Sequence, residues 1–96
     1  MTASIHSGEY KYVLSKLIEM RNEAGMTQRD LAKKVKREVS FVWRIETGKR
    51  RLDMVEFYWV CNALGKNAAD VYGEIIKEIT AMKLPALSTK KISRRK

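Results

Sequence analysis

The residues of this chain best able to do chemistry are basic, and they lie close together in the sequence. The segment from Thr27 to Arg51 contains nine basic residues against three acidic ones, and it supplies +6 of the chain's net charge of +9. A surface of one sign attracts polyanions, because Lys and Arg side chains release counterions from the phosphates they neutralise. We therefore expect this segment to bind a polyanion, and duplex DNA is the obvious candidate.

The charge outside that segment is unevenly distributed. Residues 1–26 contain three basic and three acidic side chains, whereas residues 52–87 contain three basic and five acidic ones. Residues 88–96 then add five basic side chains in a short polar stretch. Low hydrophobicity and high charge predict that this tail is disordered, and we expect residues 1–8 to be flexible as well. The tail would either follow a phosphate backbone or serve only as a solubilising end.

The composition favours one soluble globular domain and argues against several other classes of protein. Of the 96 residues, 45% are apolar and 32% are charged, which is ordinary for such a domain. No apolar run approaches the roughly 18 residues of a transmembrane helix, and the N-terminus lacks the features of a secretory signal. With a single Cys61 and a single His6, we expect no disulfide, metal site, cofactor or small-molecule ligand. These features predict a cytoplasmic protein that is not an enzyme.

Helical periodicity predicts five helices and no strand. The first predicted helix covers residues 9–24, the second begins after the capping residue Thr27, and the third covers residues 39–46. Asp53 caps the fourth, and the fifth covers residues 68–83. Strands would need alternating β-branched runs bounded by turns, and none is present. The predicted fold class is therefore all-α.

Two strings within these helices resemble a known family. They are R-x-x-x-G-M-T-Q-x-x-L-A, beginning at Arg21, and S-F-V-x-R-I-E-x-G-x-R-R-L, beginning at Ser40. Together they resemble the Cro and phage-repressor family of helix-turn-helix regulators, also called XRE-like, over Leu14 to Leu64. The resemblance implies a lambda-repressor-like DNA-binding domain with double-stranded DNA as its partner. The fifth predicted helix lies outside the shared pattern, and with it the predicted domain has five helices and covers residues 9–87.

In this family the second helix of the motif enters the major groove, so the resemblance assigns that role to residues 39–46. The predicted base contacts on its outer face are Val39, Ser40, Trp43 and Arg44. Arg44 either bonds a guanine edge through two hydrogen bonds, worth about 1–3 kcal/mol of discrimination, or contacts only a phosphate. Trp43 stands where the family carries a small or polar residue. Its indole either lies against bases and sugars or folds back beside Phe41.

Residues on both sides of the recognition helix are predicted to hold the DNA backbone. Gln28 matches a glutamine that in the family contacts a phosphate at the start of the second helix; otherwise it is only a solvated surface amide. The turn before the recognition helix and the loop after it add further cations. The predicted phosphate contacts are Gln28, Lys36, Arg37, Thr47, Lys49, Arg50 and Arg51.

The resemblance also implies a scaffold that does not touch DNA. Arg21 and Glu46 match a pair whose bidentate bond would link the first helix to the end of the third. Ala32 matches a small residue at the point where the two helices of the motif cross. Two positions depart from the family, because Lys36 stands where glycine is usual and Glu38 where a serine or threonine caps the third helix. They put the shape of the turn in question, not the fold.

The last two predicted helices offer more apolar surface than a small core covers, since the fourth is apolar nearly all round. One recognition helix reads only a few base pairs, so we expect a homodimer on two half-sites about 34–36 Å apart. The other possibility is that the fifth helix folds across its own monomer and uses up this surface. The predicted interface consists of Val55, Trp59, Val71, Ile75, Ile79 and Met82.

These residues and the resemblance predict a sequence-specific transcriptional regulator, a repressor rather than an activator, that acts as a homodimer on a palindromic operator. Such a protein would be cytoplasmic and associated with the nucleoid. The alternative is an antitoxin, or another interaction module of the same fold, that neutralises or bridges a partner protein such as a toxin. Antitoxins of this type also bind their own operators, so the two roles can coexist.

Overall fold

The computed structural model describes residues 7–82, and within that range the chain forms five helices and no strand. The helices are α1 (Gly8–Glu23), α2 (Gln28–Lys34), α3 (Val39–Glu46), α4 (Met54–Ala63) and α5 (Ala68–Ala81). The predicted all-α class is confirmed, although α1 begins one residue earlier than predicted. The predicted basic tail (88–96), the predicted last residue of the fifth helix and residues 1–6 of the predicted N-terminal segment lie outside the described residues.

Side-chain caps mark the start of every described helix except α3. Thr27 accepts a hydrogen bond from the Asp30 N–H at 3.0 Å, and the Asp30 carboxylate accepts one from the Thr27 N–H at 3.0 Å. Asp53 and Glu56 form the same reciprocal pair at the start of α4, at 2.8 and 3.0 Å. Asn67 caps α5. These bonds satisfy backbone N–H groups that have no partner within a helix. The caps predicted at Thr27 and Asp53 therefore form, and Ser7 caps α1 as well by accepting from the Tyr10 N–H at 3.0 Å.

The turn between α2 and α3 contains a lysine in a left-handed conformation. The Lys36 N–H donates to the Lys33 carbonyl at 3.1 Å, and the Arg37 N–H donates to the Ala32 carbonyl at 2.9 Å. This pair of bonds requires a positive φ at the residue that follows the C-terminal cap of α2. The cap is Val35, and the next residue, Lys36, has a φ of 57°. A side chain there costs roughly 1 kcal/mol relative to glycine. The turn therefore keeps the geometry of a glycine turn at the expense of some stability.

All five helices contribute to one core. α1 packs against α3 and α5, while α4 packs against α5 and α2. Each large apolar side chain buried in this way stabilises the fold by about 1.5–3 kcal/mol. The buried apolar residues are Leu14, Leu17, Met20, Leu31, Ala32, Phe41, Val42, Ile45, Val60, Cys61, Leu64, Val71 and Ile75.

Two assignments made from the sequence are wrong. Val71 and Ile75 were predicted to form a dimer interface, but they are only 4% and 2% exposed because α5 packs across its own monomer and places them in the core. Met54, in contrast, is 86% exposed at the first position of α4. The periodicity of a helix shows which residues share a face but not which neighbour covers that face.

Candidate nucleic-acid interface

Helix α3 buries one face in the core and presents the other to solvent. Val42 and Ile45 are 3% and 4% exposed and anchor the helix. Ser40 and Arg44 are exposed on the outer face, and Trp43 lies there with 46% of its surface accessible. Three of the four predicted base contacts are thus available together on one side of the helix.

The large side chains of α3 divide between the two faces. Phe41 is only 8% exposed and belongs to the core, whereas the indole of Trp43 faces outward with Ser40 and Arg44. Val39, the fourth predicted base contact, is partly buried and packs against the core, so only part of its side chain is accessible. The outer face therefore exposes a large apolar side chain at Trp43, whereas Val39 and Ser40 at the start of the helix expose less apolar surface.

The end of α3 is held by a network centred on Glu46. Arg21 donates to its carboxylate from Nε at 2.6 Å and from Nη2 at 2.9 Å, and a third guanidinium bond of 2.8 Å goes to the Met26 carbonyl. The two side chains are only 12% and 8% exposed. The hydrogen bond to Glu46 raises the pKa of Arg21, so the guanidinium stays charged. This network brings Arg21 and Glu46 together as a brace between α1 and α3.

Gln28 joins the same network, a contact that sequence reasoning missed. Its Nε2 donates to Glu46 Oε1 at 2.8 Å, which is the oxygen that also accepts from Arg21 Nη2. An amide nitrogen carries two hydrogens, so one remains for a phosphate after the bond to Glu46 is made. Gln28 was predicted as a phosphate contact, and the structure places it where α2 begins, with its amide oriented by Glu46.

Arg50 forms a second ion pair, which sequence reasoning also missed. Its Nη1 donates to Glu56 Oε1 at 2.9 Å and its Nη2 donates to Glu56 Oε2 at 2.8 Å. Glu56 is buried, with 5% of the residue exposed. The hydrogen bond from Arg50 is the main reason that the pKa of Glu56 lies below its ordinary value of 4.5. The loop after α3 is therefore fastened to the first turn of α4.

Two arginines stack on the Phe41 ring at the boundary between core and surface. The guanidinium carbon of Arg37 lies 4.9 Å from the ring centroid, and that of Arg50 lies 5.0 Å from it. Arg37 is also 5.1 Å from the Trp59 ring. Such contacts are worth about 0.5–1 kcal/mol at exposed sites. They place both guanidinium groups at the edge of the recognition helix.

The remaining residues predicted to contact phosphates surround the same face. Lys36 and Lys49 are exposed, one in the turn before α3 and one in the loop after it, and Arg51 is exposed beyond Arg50. The Thr47 hydroxyl donates to the Trp43 carbonyl at 2.8 Å, so its hydrogen is already used. Thr47 is thus less suited than the lysines to donate to a phosphate.

A depression of about 500 Å³ lies between the turn and α3. Its residues carry four positive charges and one negative charge, from Glu38. Glu38 precedes α3 but makes no side-chain capping bond to the helix. The depression is lined by Lys36, Arg37, Glu38, Ser40, Phe41, Arg44 and Arg50. An anion the size of a phosphate would meet cations on several sides here.

A different surface, lined by apolar residues, lies on α1, α4 and α5. It is a groove of about 540 Å³ with tyrosines and aliphatic side chains on its walls, and Asp53 is the one charged residue among those lining it. Four of its residues, Met54, Tyr58, Tyr72 and Ile76, are exposed large hydrophobic side chains. We call these four residues, with the groove beside them, the apolar face. Exposed apolar patches of this kind mark interaction surfaces.

Residues 7–82 contain neither a metal-binding cluster nor a membrane-spanning helix. No group of three or more His, Cys, Asp or Glu residues in that range is placed to hold a metal ion. None of the described helices is both long enough and apolar enough to cross a bilayer.

Comparison with known proteins found both a family match and similar structures. A family described as "Helix-turn-helix domain" matches residues 16–71. An XRE-family like protein from Pseudomonas syringae pv. tomato is 35% identical, with a TM-score of 0.74, over 80% of this chain and 94% of the other. The clp gene regulator ClgR from Corynebacterium glutamicum is 25% identical, with a TM-score of 0.64, over 75% of this chain and 94% of the other. Comparison with curated protein sequences gave no match.

Proposed function

This chain belongs to the XRE-like family of helix-turn-helix transcriptional regulators, and we propose that it represses transcription by binding a palindromic operator in double-stranded DNA as a homodimer. The outer face of α3 carries the proposal. Ser40, Trp43 and Arg44 are exposed there side by side, and the Arg21–Glu46 bonds hold the helix in place. A firmly held helix with such a face fits the major groove.

Each side chain on this face has a role suited to its chemistry. Arg44 donates two hydrogen bonds to a guanine edge, and Ser40 donates to or accepts from a neighbouring base. Trp43 lays its ring against sugars or a thymine methyl, and the exposed part of Val39 adds a smaller apolar contact. We infer that Arg44 supplies most of the sequence discrimination, because its contact is bidentate.

Phosphate contacts on both sides of α3 would fix the register of the protein on DNA. Lys36 and Arg37 lie before the helix, and Lys49 and Arg51 lie after it. Gln28 contributes its remaining amide hydrogen, helped by the N-terminus of α2. These contacts give affinity and salt dependence but no choice of sequence.

We propose that the homodimer forms through the apolar face. The described part of α4, α5 and their loops carries more acidic than basic residues, whereas residues 27–51 are strongly basic. Two copies of a basic chain repel each other least through a surface that has no excess of basic residues. Met54 protrudes beside the groove, so a two-fold arrangement can place it in the partner's groove.

The oligomeric state can be tested with two substitutions of the same kind. Ile76→Asp puts a charge in the apolar face and should yield a monomer in light scattering at micromolar concentration. Val55→Asp puts the same charge on the other side of α4, where Val55 and Trp59 were first predicted to form the interface. It should leave the dimer intact. A dimer that survives Ile76→Asp but not Val55→Asp would move the interface to the Val55 side.

The same apolar face supports the alternative function, a module that covers a partner protein such as a toxin. A partner protein would compete with the second copy for the groove. If the purified chain is monomeric and Ile76→Asp changes nothing, the partner protein becomes the better occupant. DNA binding through α3 would be compatible with either occupant.

Selection of bound duplexes from random DNA tests the proposed function directly. We expect an inverted repeat whose half-site centres lie about 10–10.5 base pairs, or a multiple, apart. Arg44→Ala should relax the choice at one base position per half-site, whereas Lys77→Ala, which removes the same charge from α5, should not. Transcription from a promoter overlapping the selected site should fall when the protein is added. Recovery of unrelated sequences would refute sequence-specific binding. As such a regulator, the protein is expected in the cytoplasm with the nucleoid.

A further inference from the structure

We propose that Arg50 is a positioning residue and not a phosphate contact, and that with Glu56 it holds the recognition helix in the orientation that discriminates between sequences. The inference deepens the proposed function and rests on it for its effect on DNA. The contact itself is a property of the free protein. It can therefore also be tested without DNA.

Three of the five guanidinium N–H groups of Arg50 donate within the protein, although its side chain is 38% exposed. Nη1 donates to Glu56 Oε1 at 2.9 Å and to the Arg51 carbonyl at 2.9 Å, while Nη2 donates to Glu56 Oε2 at 2.8 Å. Glu56 Oε1 accepts a further bond from the Asp53 N–H at 3.0 Å, which fixes the carboxylate as part of the α4 cap. A bidentate arginine–carboxylate bond is specific in geometry as well as strong. Moving the guanidinium to a phosphate would leave a buried carboxylate unpaired.

Arg50 also contacts α3 in two places. Its backbone N–H donates to the Arg44 carbonyl at 3.2 Å. Its guanidinium carbon lies 5.0 Å from the centroid of Phe41, which is buried in the first turn of α3. Arg44 is the residue proposed to read a guanine. The loop therefore connects the start of α4 to the backbone of the reading residue itself.

This contact complements the network around Glu46. Arg21 and Gln28 hold the end of α3 against α1 and α2, whereas Arg50 and Glu56 hold its first turn against α4. A helix of eight residues that is fastened at two points on different sides resists tilting. Tilt matters because bidentate base contacts tolerate little misplacement.

The test compares a double variant with a neighbouring single one. Arg50→Met with Glu56→Gln removes the ion pair, leaves the net charge unchanged, and keeps an oxygen at position 56 that can still accept the Asp53 N–H. Lys49→Met removes one exposed cation next to it in the same loop. The dependence of DNA affinity on salt, the ratio of specific to non-specific affinity, and amide hydrogen exchange in α3 of the free protein are measured for each.

The double variant should keep the salt slope of the natural chain while its specificity ratio falls about tenfold, roughly the effect of losing one base contact. Its α3 amides should exchange about tenfold faster without DNA. Lys49→Met should flatten the salt slope by about 0.9 and leave the specificity ratio unchanged.

A slope flattened equally by the double variant would make Arg50 a phosphate contact and overturn the inference. Unchanged specificity or unchanged exchange would overturn it too. If the natural chain binds no DNA selectively, the proposed function fails, and exchange alone then decides whether Arg50 fastens α3.

Discussion

Arg21 and Glu46 lie 25 residues apart in the sequence, yet two hydrogen bonds of 2.6 and 2.9 Å join their side chains. Both are largely buried, and Gln28 donates to the same carboxylate at 2.8 Å. One acidic side chain therefore ties together three helices. Glu46, at the end of α3, orients Gln28 at the start of α2. The same carboxylate therefore positions both the base-reading helix and a proposed contact to a DNA phosphate.

Glu46→Ala should destabilise the fold strongly, because it leaves the Arg21 guanidinium buried without its partner. We expect a loss of about 3–5 kcal/mol in the free energy of unfolding, measured in urea. Glu74→Ala is the control, since Glu74 pairs with Lys16 at 3.2 Å but its side chain is 62% exposed. Breaking that exposed pair should cost less than about 1 kcal/mol. Equal effects of the two substitutions would show that burial of the Arg21–Glu46 pair has no energetic consequence.

Lys36→Gly should stabilise the protein relative to Lys36→Ala. Lys36 has a φ of 57°, which a side chain disfavours and glycine accepts. Both variants lose the same charge, so the difference of about 1 kcal/mol between them reports the backbone preference at this position and not the charge. Both should bind DNA with a flatter salt dependence than the natural chain if Lys36 contacts a phosphate. Equal unfolding free energies for the two variants would argue against strain in this turn.

Glu56 should contribute stability that acid removes. Its pKa is lowered from an ordinary value of 4.5, chiefly by the hydrogen bond from Arg50. A group with a lowered folded-state pKa stabilises the protein fully above its unfolded-state value, and that contribution is lost as the pH falls through the folded-state pKa. The stability gap between the natural chain and Glu56→Gln should therefore be constant from neutral pH down to about 5 and narrow below about 4.5.

The measurement for Glu56 is urea unfolding across a pH series. We expect a gap of about 2 kcal/mol at neutral pH, the usual worth of hydrogen bonds to a charged group. Glu23→Gln makes the same change at an exposed position and serves as the control for losing one carboxylate. A gap that stays constant at all pH values would mean that the charge of Glu56 does not stabilise the fold.

Cys61 should be inert in the native protein. It is completely buried, and desolvation raises its pKa from 9.0 to about 11. At neutral pH this lowers the fraction of reactive thiolate about 100-fold, before any effect of access. A thiol reagent should thus label the chain only as fast as it unfolds, and urea should accelerate the labelling. Because the folded-state pKa is raised, stability should fall as the pH rises from 9 towards 11. Rapid labelling in native buffer would show that the core around Cys61 opens readily.

Local features of the fold were predictable from short stretches of sequence. Thr27, Asp53 and Asn67 mark the starts of helices because a cap needs only the few residues that follow it. The left-handed turn at Lys36 follows from the motif in the same way. The family was recognisable because its motif joins side chains at invariant spacings within about thirty residues of chain.

The site was predictable only in part. The positions of Ser40 and Arg44 on one face follow from helical spacing, but the use of each cation does not. Arg50 and Lys49 are adjacent and both basic, yet Arg50 is paired with Glu56 while Lys49 is exposed. A buried acceptor within reach made the difference, and nothing in a run of basic residues indicates where that acceptor lies.

The order of the helices, their caps and the charge of residues 27–51 follow from the amino-acid sequence, because each depends on neighbours within one or two helical turns. Packing decided the rest. Val71 and Ile75 became core while Tyr72 and Ile76 stayed exposed, since α1 and α4 cover one side of α5 only. Which apolar stripe is buried and which arginine is paired depend on contacts between distant segments, and those contacts exist only once the helices are assembled.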